Sequence, residues 1–218
     1  MDPILGMLLI TAVAVIAYNT KSLDFTGSVS GIVLAEVILF SQNTKWVLIF
    51  FLFFLIGTLA TKYGKKKKHE IRTLKNVVSN GLVSTIMAFF GNVYGFVGSL
   101  STAVGDTVSS EIGVLSKEEP RLITNFKKVK PGTDGGITLL GTISGLCASF
   151  ILSTTAYLIL FPDPNIILVG TLSGFLGNII DSIVGAVFER KGLCTNAGTN
   201  FIATLYGGVI ASCLGRIL

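Results

Sequence analysis

Three acidic residues in strongly apolar sequence are the first candidates for chemistry. Asp106 and Glu111 occur in "VGDTVSSEIGV", and Asp181 occurs in "GNIIDSIVGAVFER". A charged side chain inside a membrane helix is costly, so each is a functional candidate, the alternative being a carboxylate paired with a lysine for packing. Carboxylates suit hard cations, and Mg²⁺ is usually held by one or two of them together with substrate phosphates. The pattern predicts a Mg²⁺ site at these three residues that serves phosphate chemistry.

The spacing of the first two acids sets a condition on this site. On one continuous helix, Asp106 and Glu111 would point about 140° apart. They would share a site only if the helix breaks or bends, or if another element approaches between them. Gly105 and Gly113 flank the stretch, so we expect a break there.

The segment "KKVKPGTDGGITLLGT" is the second candidate. Its Pro-Gly and Asp-Gly-Gly steps predict turns, and Thr133 or Asp134 is expected to cap a helix that begins near Gly136. Glycine amides before a helix N-terminus attract phosphate, and three lysines add cations: Lys127, Lys128 and Lys130. The residues alone leave a phosphate-binding loop and a plain charged turn as alternatives.

A second basic segment, "KKKKHEIRTLKNVVSNGLVST", precedes a weaker apolar stretch. Lys65–Lys68 are expected to fix the orientation of the chain in the membrane or to contact anionic lipid. His69 is expected to be solvated. Four polar residues follow along one side of the predicted helix: Arg72, Lys75, Asn76 and Asn80. They are predicted to bind a polar ligand at the membrane edge or to bond neighbouring helices.

The composition places these residues in a bilayer. Half of the residues are hydrophobic, 13% are charged, and the mean hydropathy is +0.75, whereas soluble domains carry about 25% charged residues. We predict an all-α polytopic transmembrane bundle of about eight spans, or six or seven if the weak fourth and fifth are re-entrant or merged. The spans are 3–19, 26–42, 45–62, 77–93, 95–115, 136–161, 165–187 and 197–217.

Charge distribution predicts the orientation. Basic residues concentrate in the connections 62–76, 116–134 and 188–196, whereas the intervening connections are nearly free of them. With the N-terminus outside, every basic loop is cytoplasmic. We therefore expect an integral membrane protein with a cytoplasmic site and no nucleic-acid partner. The small-residue spacings permit a homodimer, and three scattered cysteines indicate neither a disulfide nor a metal site.

The chain also contains a faint internal repeat. Residues 98–105 read "GSLSTAVG", residues 170–177 read "GTLSGFLG", and residues 141–146 read "GTISGL". A duplication is one explanation. The other is that small-residue packing motifs recur in glycine-rich spans.

Four ordered motifs resemble a known family: "RTLKNVVSNG", "GSLSTAVGDTVSSEIGVLSK", "KKVKPGTDGGITLLGTISG" and "GTLSGFLGNIIDSIVGA". They resemble the integral-membrane family that includes plant phytyl-phosphate kinase and the animal transmembrane protein 19 group. The resemblance covers 70–218, the catalytic core of one domain, and 1–62 would add N-terminal spans. It implies an Mg²⁺-dependent kinase that transfers a phosphoryl group from a nucleoside triphosphate to a polyprenyl monophosphate, either phytyl or geranylgeranyl phosphate.

The family is also similar to CTP-using lipid kinases and cytidylyltransferases, which makes CTP a candidate donor. The alternatives are a lipid cytidylyltransferase that forms a CDP-lipid, a secondary transporter, and a scaffold without chemistry.

The residues and the resemblance together assign roles. Catalytic roles are predicted for Asp106, Glu111, Lys130 and Asp181. Substrate or nucleotide binding is predicted for Arg72, Asn76, Asn80, Lys128, Thr133, Asp134, Gly135, Gly136 and Asn178. A phosphate monoester is already largely ionised at neutral pH, with its second pKa about 6, so no strong general base is required. Catalysis would rest on positioning and charge neutralisation.

Overall fold

The computed structural model describes residues 3–64 and 71–218. In these ranges the chain forms eight α-helices: α1 Pro3–Asn19, α2 Phe25–Ser41, α3 Thr44–Tyr63, α4 Leu74–Phe89, α5 Val93–Gly113, α6 Leu139–Ile159, α7 Asn165–Val187 and α8 Asn196–Leu214. A 3₁₀ turn, Glu189–Lys191, follows α7. The expectations for Lys65–Lys68 and His69 fall outside the described residues.

The eight helices confirm the predicted all-α bundle, and the weak fourth and fifth stretches are separate helices. Four of them, α3, α6, α8 and α7 with its 3₁₀ turn, are long and apolar enough to cross a membrane, and α1 and α2 are shorter apolar helices. The break expected near Gly105 is wrong, because α5 continues through it and ends at Gly113. Glycine at 105 serves packing, as described below.

A short hairpin was not predicted. Strand β1 (Arg121–Leu122) pairs antiparallel with β2 (Gly136–Ile137) inside the loop between α5 and α6. Gly136 therefore lies in a strand. The helix after it begins at Leu139, and its N-cap is Thr138, whose hydroxyl accepts a hydrogen bond from Gly141 N at 3.1 Å. The expected cap at Thr133 or Asp134 is wrong, because the hairpin delays the helix.

Consecutive helices run in opposite directions and bring the basic connections to one end of the bundle. The α1–α2 and α3–α4 connections meet there, where Asp24 N donates to Arg72 O at 3.0 Å. At the junction of α5 and α6, Thr138 Oγ1 donates to Gly113 O at 3.4 Å. Thr199 on α8 donates to Glu189 Oε2, just after α7, at 3.1 Å. This end is called the loop end below, and the predicted orientation of the loops in the membrane stays a prediction.

Helix α5 lies at the centre of the bundle and packs through small residues. A Cβ at Gly105 would lie 2.6 Å from Ser149 Oγ and 3.3 Å from Gly145 O of α6. A Cβ at Gly174 of α7 would lie 2.8 Å from the Ser101 side chain. Such contacts require glycine and let helix backbones approach closely, which is a main source of association energy in lipid.

The two clearest copies of the repeat face each other across the α5–α7 interface. Gly177 of α7 packs directly on the side chain of Thr102 of α5, and Thr102 Oγ1 donates to Ser173 O at 3.2 Å. Both copies therefore supply the small residues of one interface. The duplication stays a prediction.

Gly98→Ala should destabilise the bundle measurably. The added Cβ would lie 2.7 Å from Gly207 O and would also collide with Ala211 of α8. Overpacking of this kind costs about 1–3 kcal/mol, so we expect a lower midpoint of thermal unfolding in detergent. Gly31→Ala is the matched control, because no atom lies within 4 Å of a Cβ there. An unchanged midpoint for Gly98→Ala would contradict this packing.

Candidate functional site

A cavity of about 770 Å³ reaches the loop end and collects most of the predicted site residues. Those that line it are Arg72, Asn76, Asn80, Asp106, Glu111, Thr133, Asp134, Gly135, Gly136, Asn178 and Asp181. Lys128 and Lys130 do not line it. Among its described lining residues, five carry carboxylates and two, Arg72 and Lys75, are cationic. An excess of carboxylates favours a bound cation.

Asp106 and Asp181 are brought together by the glycine-mediated packing of α5 on α7. Their carboxyl groups lie at hydrogen-bond distance, and the charges of Asp134 and Glu189 also act on Asp181. Two carboxylates this close repel each other unless a proton or a cation lies between them. The pair is therefore a point of the cavity where a proton or a cation would be held.

Asn200 of α8 extends this pair towards α4. With its amide nitrogen facing the carboxylate, Asn200 donates to Asp181 Oδ1 and to Asn196 O, each at 3.2 Å. In the same orientation its oxygen accepts from Asn80 Nδ2 at 3.2 Å. The network fixes the Asp181 carboxylate against two helices.

Asn200→Ala should lower the midpoint of thermal unfolding. The substitution removes the amide that donates to Asp181 Oδ1, and losing a hydrogen bond to a charged group costs about 1.5–3 kcal/mol. The measurement is the thermal midpoint in detergent. Thr155→Ala is the control, since its exposed hydroxyl only bonds Ile151 O of its own helix. A wild-type midpoint in Asn200→Ala would contradict this network.

Glu111 belongs to a different part of the cavity. It is 8% exposed and lies at the last turns of α5, where its charge attracts Arg72. A Cβ at Gly64 would lie 2.7 Å from Glu111 Oε2, so the end of α3 packs directly on this carboxylate. Among the described residues, no three acidic, histidine or cysteine side chains form a group that could hold a metal. Asp106 and Asp181 therefore lie together while Glu111 lies apart from them, because a continuous α5 turns Glu111 away from Asp106. The Mg²⁺ site stays a prediction.

Arg72 is held by several elements at once. Its Nη2 donates to Thr61 Oγ1 at 3.1 Å, and its guanidinium lies 5.9 Å from the Phe54 ring centre. Its backbone joins the α1–α2 loop through a bridge with Leu23. Burial lowers the pKa of Arg72 from its ordinary value, and the charge of Glu111 opposes this shift. The side chain remains a fixed cation on the wall of the cavity.

The lysine–glycine loop is more self-contained than the sequence predicts. Thr133 N and Thr133 Oγ1 both donate to Lys130 O, at 3.1 and 2.7 Å, and Gly136 N donates to Thr133 O at 2.9 Å. These amides are therefore not free to bind phosphate. Gly135 has φ +73° and packs on α7, where a Cβ would lie 2.6 Å from Ser182 O. The glycine is needed for this contact and this backbone conformation.

The lysines of the loop are exposed and do not line the cavity. Lys128 Nζ forms an ion pair with Glu119 Oε2 at 2.7 Å, and both side chains are more than 60% exposed. The pair lowers the pKa of Glu119, first through the hydrogen bond from Lys128 and then through its charge. Lys127 and Lys130 are also exposed. Lys128, predicted to bind substrate or nucleotide, is thus paired with Glu119 outside the cavity, and its binding role stays a prediction.

Two of the predicted asparagines have different surroundings. Asn76 Oδ1 accepts from Thr73 N at 2.9 Å and from Thr73 Oγ1 at 3.1 Å, as part of a capping box that starts α4. Asn80 Nδ2 donates to Asn76 O at 2.9 Å, while its buried Oδ1 has no hydrogen-bond partner in the described part of the chain. A buried carbonyl oxygen left open on a cavity wall favours a ligand that donates a hydrogen bond.

The third asparagine, Asn178 of α7, is 7% exposed and faces α6, where a Cβ at Gly145 would lie 3.0 Å from its Nδ2.

The cavity has a second, apolar part between the first three helices. We call it the apolar arm, and its lining consists of Ile10, Val13, Ala14, Gly31, Ile32, Phe50, Phe51, Phe53 and Phe54. The arm and the acidic pair belong to the same cavity. The site is thus open to a ligand with one charged end and one hydrocarbon end.

The sequence interpretation missed Glu189, Asn196 and Asn200. A signal for the asparagines exists, because "NVVSN" (76–80) and "NAGTN" (196–200) repeat one spacing at the starts of α4 and α8. Both pairs therefore lie on one face of their helix at the loop end.

Comparisons with known proteins match most of this chain. Residues 8–212 match the family described as Integral membrane protein DUF92. Membrane protein MJ0933 of Methanocaldococcus jannaschii is 40% identical over 94% of this chain and 91% of its own length. Protein PGR of Arabidopsis thaliana is 28% identical over 88% of this chain and 81% of its own. Protein VTE6, chloroplastic, from the same plant, is 34% identical over 64% of this chain and 48% of its own.

No solved structure matches. The family match spans nearly the whole bundle, including both acids of the pair and all helices that carry them. The chain belongs to the integral membrane protein family DUF92.

Proposed function

We propose that this protein is a membrane kinase that transfers a phosphoryl group from a nucleoside triphosphate to a polyprenyl monophosphate, giving the diphosphate. The observation that carries the proposal is the shape of the cavity, which joins an acidic, amide-lined end to the apolar arm. A prenyl phosphate likewise consists of a charged phosphate head and an apolar hydrocarbon chain. The resemblance of the four motifs to the phytyl-phosphate kinase family supports the reaction.

The acidic pair fits the cation that such a reaction uses. Mg²⁺ is usually held by one or two carboxylates together with phosphate oxygens, and Asp106 and Asp181 supply two adjacent carboxylates. Bound there, the ion would neutralise charge on the transferring phosphoryl group. Asn200 would keep Asp181 oriented, and Asp134 and Glu189 would add to the negative field.

Arg72 is assigned to the acceptor phosphate and Asn80 to the nucleotide. Arg72 lines the cavity together with the residues of the apolar arm, so a phosphate near it leaves the chain in the arm. The phosphate oxygen attacks as an ionised nucleophile, with its second pKa about 6, and needs no general base. Asn80 Nδ2 already donates to Asn76 O and to Asn200, so its open Oδ1 is left to accept a hydrogen bond from the nucleotide.

The nucleotide is assigned to the loop end, beside Thr133, Asp134 and Gly135. Lys130 stays a predicted phosphate contact from the rim of the loop. CTP is our candidate donor, on the resemblance to CTP-using lipid kinases. We also propose that the loop end is cytoplasmic, because the basic connections lie there.

One experiment tests the reaction. Purified protein in detergent is incubated with Mg²⁺, each nucleoside triphosphate and a panel of prenyl monophosphates, and the products are separated by mass. Prenyl diphosphate with nucleoside diphosphate supports the proposal. A CDP-lipid with pyrophosphate would replace it by a cytidylyltransferase, and no turnover together with flux in sealed vesicles would replace it by a transporter.

A further inference from the structure

The apolar arm contains an opening on α2 that the rest of the bundle does not fill. A Cβ built at Gly31 has no atom within 4 Å, although Gly31 lines the cavity. Most other helical glycines of this chain are packed against side chains or backbone at less than 3.4 Å. Glycine here is therefore not required by helix packing or by a positive φ.

The neighbours of Gly31 show which way this position faces. Ser28 and Ile32 lie three residues before and one residue after it, and both also line the cavity. Val33, two residues after Gly31, is 52% exposed on the outside of the bundle. A side chain at position 31 would therefore extend into the arm, whereas one at position 33 would extend into lipid.

Aromatic rings form the opposite wall. Phe50, Phe51, Phe53 and Phe54 of α3 line the arm, and Phe54 also contacts the Arg72 guanidinium. This wall therefore leads from the hydrocarbon-lined space to the cation assigned to the acceptor phosphate. An unsaturated, branched hydrocarbon chain packs well on such rings.

We propose that the apolar arm binds the hydrocarbon chain of the acceptor and that Gly31 sets the chain length it admits. The inference rests on the proposed function, since it takes the acceptor to be a prenyl monophosphate. The head of the acceptor lies at Arg72, and its chain runs past Gly31 between α1 and α3. A larger side chain at position 31 shortens the arm while leaving the acidic pair intact.

The test is Gly31→Phe, with Val33→Phe as a matched control that adds the same ring to the lipid-facing side of α2. Transfer is measured with a C10 and a C20 prenyl monophosphate, and Gly31→Leu provides a smaller obstruction. We expect Gly31→Phe to lower kcat/KM for the C20 acceptor at least about tenfold and to change the C10 value less than about twofold. Gly31→Leu should fall between wild type and Gly31→Phe, and Val33→Phe should match wild type.

Binding of the two labelled monophosphates without nucleotide separates this inference from the proposed function. If wild type binds both but transfers no phosphoryl group, the kinase proposal fails, and a selective loss of C20 binding in Gly31→Phe still supports the arm. Equal losses for C10 and C20 in both Gly31 variants, or no loss in either, would overturn the inference. Failure of wild type to bind either monophosphate would overturn it as well.

Discussion

Asp181→Asn and Asp106→Asn should each abolish phosphoryl transfer while leaving the helix bundle folded. The substitution keeps the shape of the side chain and removes one of two adjacent carboxylates. With one carboxylate lost, the site no longer has the charge to hold a divalent cation against the nucleotide phosphates. Removing a single preorganised electrostatic group at a reacting centre costs about 10²–10³ in rate, so we expect at least that loss. Transfer of labelled γ-phosphate is the measurement.

Glu36→Gln is the control for this pair. Glu36 is a partly buried carboxylate on α2 that does not line the cavity, so neutralising it changes the charge of a helix without touching the site. We expect its transfer rate to stay within about twofold of wild type. Turnover near the wild-type rate in both aspartate variants would remove the cation assignment.

Arg72 and Glu111 should behave as an energetically coupled pair. Arg72→Gln leaves the buried Glu111 carboxylate without its nearby cation, and Glu111→Gln leaves the guanidinium without its anion. Breaking one side of a buried pair costs up to about 3–5 kcal/mol, whereas removing both charges together costs less. We therefore expect the double variant to unfold at a higher temperature than the sum of the single effects predicts, with a coupling of about 0.5–3 kcal/mol.

Transfer activity separates the structural role of this pair from its proposed role in binding. Because Arg72 is assigned to the acceptor phosphate, the double variant should recover stability but not activity. Thr61→Val is the control, since it removes the hydrogen bond from Arg72 Nη2 and the one that Thr61 Oγ1 donates to Gly57 O of its own helix, and it should have a small effect on both. Additive unfolding effects would show that the two charges do not interact.

Hydropathy was sufficient to find the helices. The predicted spans 26–42 and 45–62 agree with α2 and α3 to within one residue at each end. A lipid-exposed backbone must satisfy its hydrogen bonds within a helix, so apolar stretches of this length mark the helices. The loop between α5 and α6 was harder. Its hairpin depends on pairing between residues fourteen apart, Leu122 and Gly136, and local turn signals do not encode such a pairing.

The candidate site was only partly predictable for the same reason. An acidic residue in a membrane span is unusual enough to be identified from sequence, and this found Asp106, Glu111 and Asp181. The same criterion also applies to Glu36 of α2, which does not line the cavity. Which acids meet depends on the side of α5 that each occupies and on the helix that packs there. The glycines of α5 and α7 bring Asp106 to Asp181, while Glu111 turns towards Arg72.

By itself, the sequence determined that this chain is a membrane bundle with alternating polarity of its loops and carboxylates too costly to be incidental. These properties depend on the composition of each segment and on the order of residues within it, so they can be determined for each segment separately. Only the tertiary structure decided that two carboxylates form a pair, that Asn200 supports it, that the loop lysines face outwards, and that a hydrocarbon-lined arm opens beside Arg72. These features depend on contacts between helices far apart in the chain, and close packing of small residues fixes them only when the whole bundle has assembled.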